Sequence, residues 1–140
     1  MFSSKSDNWA TPIDFFKKIE SEFWPFDLDP ASDESNHKAP AFFTKEDDGL
    51  SKYWFWKVWL NPPYGRWLKD WVKKCFVERE RALLICLLIP ARTDTSYFHD
   101  YIYNKPWVEI RFIRGRLKFW DATNSAPFPS MLVLFYNIKK

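Results

Sequence analysis

Compact apolar runs alternate with amphipathic stretches along this chain, and the order in which they come predicts strands and helices in turn. Phe16, Ile19 and Phe23 recur at helical spacing behind Thr11-Pro12, which supply an N-cap and a first helical residue, with Asp14 at the positive helix end. A short strand is expected over residues 26–29, ended by Pro30. Residues 31–53 are polar and irregular with a turn at Asp48-Gly49, and so long a loop in a small domain is more often functional than idle. The apolar, aromatic run Phe55-Trp56-Lys57-Val58-Trp59-Leu60 reads as a strand. Leu68, Trp71, Val72, Cys75 and Phe76 then place a helix over residues 66–80. The unbroken run from Ala82 to Ile89 lacks alternation and predicts a central strand buried on both faces. A short helix over 95–103, an alternating strand with Val108, Ile110 and Phe112 on one face, and a last strand over 131–136 complete the pattern. Such an order predicts an α/β fold with a doubly wound, mostly parallel sheet, helices on both faces and an antiparallel edge strand.

Composition narrows the class. A chain of 140 residues with 46% hydrophobic and 28% charged residues is expected to form one domain over 1–140, folding alone or as a homodimer. The longest apolar run falls far short of the roughly 20 residues of a membrane helix, so no membrane partner is expected. Cys75 and Cys86 lie in apolar surroundings without metal-ligand spacing, and His37 and His99 are too few and scattered for zinc. No metal is expected, and two reduced core thiols suit a cytoplasmic protein. Net charge is only +3, from 21 basic and 18 acidic residues, so attraction to a polyanion depends on distribution. Arg111, Arg114, Arg116 and Lys118 cluster late in the chain, and Arg66, Lys69, Lys73 and Lys74 follow the strand ending at Leu60. Each cluster reads either as a basic rim or as a solvated face. Aromatic residues make up 21% of the chain, with nine tryptophans. Most are expected in the core, with Trp54, Trp56 and Trp59 packing under helices or in a dimer interface, while Trp9, Tyr64, Phe42 and Phe43 are candidates for stacking on flat ligands.

The chemistry concentrates at Asn61-Pro62-Pro63-Tyr64, delivered by a predicted strand to its carboxyl edge and followed by a predicted helix. An exocyclic amine on an adenine ring is a poor nucleophile, because its lone pair is delocalised. A catalyst must accept its hydrogens and turn the lone pair toward an electrophile. The Asn61 oxygen and the Pro62 carbonyl are suited to that, two prolines hold the backbone stiff, and Tyr64 offers a flat face for a flipped base. Methylation at a cytosine carbon would instead need a cysteine nucleophile, and neither cysteine falls on such a loop. A four-residue match also occurs as a proline-rich turn with a surface tyrosine.

More of the chain bears on this. Asp7-Asn8-Trp9-Ala10-Thr11-Pro12, Phe26-Asp27-Leu28-Asp29-Pro30-Ala31, Phe43-Thr44 through Asp47-Asp48-Gly49-Leu50, Asn61-Pro62-Pro63-Tyr64-Gly65, Pro90-Ala91-Arg92-Thr93-Asp94-Thr95, Gly115-Arg116-Leu117-Lys118-Phe119 and Asn124 to Ser130 occur in that order. Together they resemble the phage-type DNA adenine methyltransferase family, often called phage Dam. The resemblance implies a shortened Rossmann-like class I methyltransferase fold without a separate target-recognition domain. It further implies methyl transfer from S-adenosylmethionine to the 6-amino group of adenine in double-stranded DNA, by a phage- or prophage-encoded enzyme in a bacterial host. Asn61, Pro62, Pro63 and Tyr64 would be catalytic. Asp29 would face the ammonium or sulfonium of the cofactor, or else cap the turn at Pro30. Asn8, Trp9, Thr11, Asn36, Asp47 and Asp48 are recruited beside it for the cofactor, although each also suits a turn or cap. Arg66, Arg92, Arg114, Arg116 and Lys118 are assigned to DNA, with an Arg92–Asp94 ion pair as the structural alternative for Arg92. Asn124 to Ser130 suits a stiff loop lining the base pocket.

The chain departs from most amino-methyltransferases in one respect: only Gly49, Gly65 and Gly115 are present, and none follows Asp29, so the glycine-rich cofactor turn is missing, as the resemblance implies it also is from members of the phage-type family. Three other readings remain open: a methyltransferase acting on an RNA or protein amide amine, since the same tetrapeptide serves such enzymes; a non-catalytic DNA-binding relative of the fold, prompted by the missing turn; and a phage protein that engages a host factor.

Overall fold

The computed structural model describes residues 8–119 and 126–138. Helix α1 (Ile13–Phe23) leads into β1 (Leu28–Asp29), β2 (Ala41–Phe42), a 3-10 turn (Gly49–Ser51) and β3 (Lys57–Leu60). Helix α2 (Leu68–Glu78), β4 (Leu84–Pro90), a π-helical turn (Phe98–Ile102), β5 (Val108–Phe112) and β6 (Ser130–Tyr136) follow. The six strands form one sheet in the order β2-β1-β3-β4-β6-β5. β1 pairs in parallel with β2 and β3, and β3 with β4, whereas β6 runs antiparallel to both β4 and β5. The expected mostly parallel sheet with an antiparallel end is present, with the reversed strand lying one position in from the edge.

The core sits on the sheet centre. Every residue of β4 is buried, and β6 pairs with it from Leu84↔Tyr136 to Pro90↔Ser130. The apolar run without alternation thus reflects a strand covered on both faces, each large aliphatic side chain contributing about 1.5–3 kcal/mol by its burial. Helix α1 lays Phe16 on Trp59 of β3 and on Phe26, with ring centroids 4.9 and 5.8 Å apart.

Several boundaries depart from the sequence pattern. Helix α1 starts after Pro12 without a side-chain cap, so Thr11 is not its N-cap, although Asp14 does lie in the first turn. β3 begins only at Lys57 because Trp56 adopts a left-handed conformation (φ 53°) that turns the chain out of the sheet and leaves its indole 60% exposed. Trp54, by contrast, is buried. Its backbone N–H donates to the Glu78 carboxylate at 2.7 Å and its indole N–H to the Gly49 carbonyl at 2.9 Å. β2 falls inside the stretch expected to be irregular; its two residues carry no period, and pairing with β1 creates it. Cys75 and Cys86 are free and buried, and burial pushes both thiols up. Among the described residues, no helix is long and apolar enough to cross a membrane, and no cluster of ligating side chains suits a metal.

Candidate active site

Because β1, β3 and β4 run parallel, Asp29, Leu60 and Pro90 end on one edge of the sheet, the edge where α/β sheets take their ligands. Asn61 follows β3 there. Its amide nitrogen donates to the Trp9 carbonyl at 2.5 Å and to the Thr11 hydroxyl oxygen at 2.9 Å. A carbonyl only accepts, so this contact identifies which end of the amide carries the hydrogens. The Asn61 oxygen therefore points the other way, where the Tyr64 hydroxyl lies 2.8 Å from it. That hydroxyl also lies 3.1 Å from the Leu88 carbonyl, so one phenolic proton has two acceptors.

Tyr64 is not the open platform expected for it. It is only 6% exposed, and Phe119 and Phe128 meet its ring edge-on at 6.4 and 5.7 Å. Burial pushes its phenol well above the ordinary value. The reason is local: Pro62 is buried, and Gly65 at φ 115° turns the chain back into α2, drawing Tyr64 under the aromatic cluster with Trp9.

Asn61 and Pro63 line a cavity of about 650 Å³ together with the ends of β1 and the segment before α1. That volume lies within the roughly 300–1,000 Å³ typical of small-molecule sites. Of the residues assigned to the cofactor, Asn8, Trp9, Thr11, Asp29, Asn36 and Asp48 reach this cavity. Asp47 does not. Its carboxylate accepts from the Thr44 N–H at 2.9 Å and the Thr44 hydroxyl at 3.0 Å, closing a turn, and those bonds hold it below the usual aspartate range. Asp29 is 3% exposed, and burial raises its pKa to about 7 against the pull of backbone N–H groups from Lys38 (2.9 Å) and Ala31 (3.4 Å). The Ala31 bond also gives Asp29 the turn-closing role weighed for it.

No glycine directly follows Asp29, but a glycine from elsewhere in the chain packs there. Gly49 packs against the residue after Asp29 so closely that a Cβ would lie 2.1 Å from the Pro30 carbonyl oxygen. Sequence proximity to Asp29 gave no sign of this, because Gly49 belongs to a separate turn. A family model described as DNA N-6-adenine-methyltransferase (Dam) matches residues 1–140.

The chain belongs to this family.

Among curated relatives, a DNA N-6-adenine-methyltransferase of Escherichia phage T1 is 33% identical over 108 residues, covering 74% of this chain and 45% of that protein. The protein of the same name from Haemophilus phage HP1 is 31% identical over 140 residues, covering 94% of this chain and 80% of that protein. The Dam-family chain thus spans under half the length of the T1 relative and most of the HP1 relative.

The basic residues divide in this Dam-family chain. Arg66, Arg92, Arg114, Arg116 and Lys118 are all exposed, and none forms an ion pair among the described residues; the Arg92–Asp94 pair is not formed. Arg111, from the same cluster, is engaged instead with Glu22 in two bonds of 2.7 and 2.6 Å and with Glu109 at 2.8 Å. Lys74 pairs with Glu78. Thr95 accepts from the Phe98 N–H, as a cap would. Phe42 is covered by His37, stacked at 3.9 Å, and neither Phe42 nor Phe43 reaches the cavity. Asn124 and Ser125 lie outside the described residues, while Phe128 of the same loop packs on Trp9 and Tyr64.

Trp67 is the residue that sequence reasoning missed. It lines the cavity, is 58% exposed and carries the Arg66 guanidinium 4.8 Å from its ring centroid. An aromatic three residues beyond the tetrapeptide, just ahead of the first buried helical position, was the available signal.

Proposed function

We propose that this protein transfers a methyl group from S-adenosylmethionine to the 6-amino group of adenine in DNA. The observation that carries the reading is the fixed Asn61 amide, with its oxygen directed away from its own two acceptors, on a wall of the cavity that also holds Asp29. The names of the phage relatives favour adenine in DNA over an RNA or protein amine.

The cavity suits this methyl donor on chemical grounds. Its lining includes Asp29, Asp33, Glu34, Glu46 and Asp48 against Lys38 and Lys45, an acidic excess that favours an ammonium and a sulfonium over a phosphate. Asp29, buried and raised to about 7, is the carboxylate that gains most from a cation beside it. Asp48 and Asn36 supply acceptors for hydroxyl or amine groups, and Trp9 and Trp67 supply aromatic surface. When bound, S-adenosylmethionine supplies an electrophilic methyl group on a positively charged sulfur.

The chain's own residues do the rest. The Asn61 oxygen and the Pro62 carbonyl accept the two hydrogens of the adenine amine and orient its lone pair. As the amine gains positive character, these acceptors bind it more strongly than in the ground state, and that difference lowers the barrier. No covalent enzyme intermediate is needed, in keeping with two inert, buried thiols. Trp67, the open aromatic at the cavity, takes over the stacking surface that buried Tyr64 does not present in this conformation.

Nucleoside mass spectrometry on unmethylated duplex DNA incubated with protein and S-adenosylmethionine tests the reading. The expected outcome is 6-methyladenine with the wild type, and a loss of about 100-fold or more in Asn61→Ala with cofactor affinity retained. Equal turnover by Asn61→Ala would remove Asn61 from the mechanism; no methylated adenine from folded wild type would remove DNA as the substrate.

A further inference from the structure

The end of the Asn61 amide that does not face Tyr64 is held by groups from a segment 50 and 52 residues away. We infer that Trp9 and Thr11 form a clamp setting the rotation of the Asn61 amide, with Thr11 as a positioning residue for the proposed reaction rather than a cofactor ligand. An amide rotated by half a turn exchanges a donor for an acceptor at almost no steric cost, so sterics alone cannot hold an asparagine in an accepting pose. In the rotated pose Asn61 would aim N–H groups at an amine that itself needs acceptors.

Here rotation is blocked electrostatically. Each hydrogen of the Asn61 amide has its own acceptor, one at the Trp9 carbonyl and one at the Thr11 oxygen. Rotation would set the amide oxygen against the Trp9 carbonyl, two acceptors with no hydrogen between them, while the Thr11 hydroxyl, which can also donate, favours the observed pose by accepting the second hydrogen. Thr11 is only 4% exposed, so water is a poor substitute for its hydroxyl. Its branched Cβ restricts χ1, and Pro12 behind it restricts the backbone. The hydroxyl is also relieved of helix capping, since α1 begins after Pro12 with no side-chain cap. Trp9 and Thr11 line the cavity as well, so seating of a ligand there and orientation of Asn61 share one stretch of chain.

Such a clamp explains why the residue at 61 is asparagine rather than aspartate. A carboxylate would place an oxygen against the Trp9 carbonyl, and only its protonated form could donate there.

The kinetic arm of the test rests on the proposed function; the spectroscopic arm does not. Thr11→Val is expected to lower kcat by about 10- to 100-fold with cofactor KM within about twofold. Thr11→Ser, which keeps the acceptor, should stay within about threefold of wild type. Asn61→Asp should retain activity only at low pH and lose it as pH rises and the carboxyl ionises. Independently of turnover, the Asn61 side-chain NH₂ pair in ¹H–¹⁵N spectra should exchange slowly with solvent in wild type and Thr11→Ser and markedly faster in Thr11→Val. Unchanged kcat and unchanged NH₂ exchange in folded Thr11→Val would overturn the clamp. So would a raised cofactor KM at constant kcat, which would return Thr11 to the cofactor. If the wild type transfers no methyl group to DNA, the proposed function fails, and NH₂ exchange alone still decides for or against the clamp.

Discussion

Asp29 keeps its proton to about pH 7 in the folded protein, where an ordinary aspartate with a pKa of 3.8 has long lost it. Desolvation is the larger effect; two backbone N–H bonds and the charge of Lys38 only partly offset it. The consequence for stability has a definite sign. A folded pKa above the unfolded one means that the native state binds the proton more tightly, so this contribution is full below about pH 4 and is lost as pH rises to about 7. Asp29→Asn removes the titration. Thermal unfolding of both proteins from pH 4 to 8 should show wild type losing stability relative to Asp29→Asn across that window, and a constant difference would contradict the buried, raised aspartate. Cofactor affinity should run the opposite way, since a cation favours the carboxylate. Wild-type affinity is expected to rise toward pH 7, and that of Asp29→Asn to be weaker and flat.

Among the elements, Gly49 ties the 3-10 turn to the end of β1. Adding a Cβ 2.1 Å from the Pro30 carbonyl oxygen forces backbone apart from backbone, with no flexible side chain to yield. Overpacking of this kind costs about 1–3 kcal/mol. Gly49→Ala is therefore expected to lower the urea midpoint and, because Gly49 and Pro30 both line the cavity, to weaken binding of an S-adenosylmethionine analogue. An unchanged midpoint would mean that the two turns are free to separate. The same contact marks where sequence reading stops. β4 was legible because eight apolar residues in a row admit little else, and α2 because Leu68, Trp71, Val72 and Cys75 share one face. β2 was not, since two residues acquire strand geometry only from their neighbour. The position of Asn61 at a strand end was legible from the apolar run before it, whereas its partners Trp9 and Thr11 were not, because hydrogen bonds across 50 residues leave no local period. The burial of Tyr64 was not legible for a related reason: the sequence names an aromatic but not the Phe119 and Phe128 rings that enclose it.

Over the whole molecule, charge is sorted rather than abundant. The net charge of +3 conceals a cavity with an acidic excess, while Arg66, Arg92, Arg114, Arg116 and Lys118 are exposed and in no ion pair among the described residues. An acidic interior favours a cationic small molecule over phosphates, so under the proposed function the phosphodiester backbone is expected on the exterior. Counterion release makes this measurable: each phosphate neutralised contributes about −0.9 to the slope of log K against log salt for duplex DNA. Replacing Arg114, Arg116 and Lys118 together by alanine should make that slope shallower by about 2 to 3, with weakening that is uniform across DNA sequences. Arg111 is the internal control, three residues before Arg114 but bound to Glu22 of α1 and Glu109 of β5. Arg111→Ala should leave the salt slope unchanged and lower the unfolding temperature, since its loss unties β5 from α1. Fluorescence anisotropy with a short labelled duplex at several salt concentrations separates the two variants. A slope altered by Arg111→Ala and not by the triple replacement would reverse the assignment and place DNA against β5 instead of the segment that follows it.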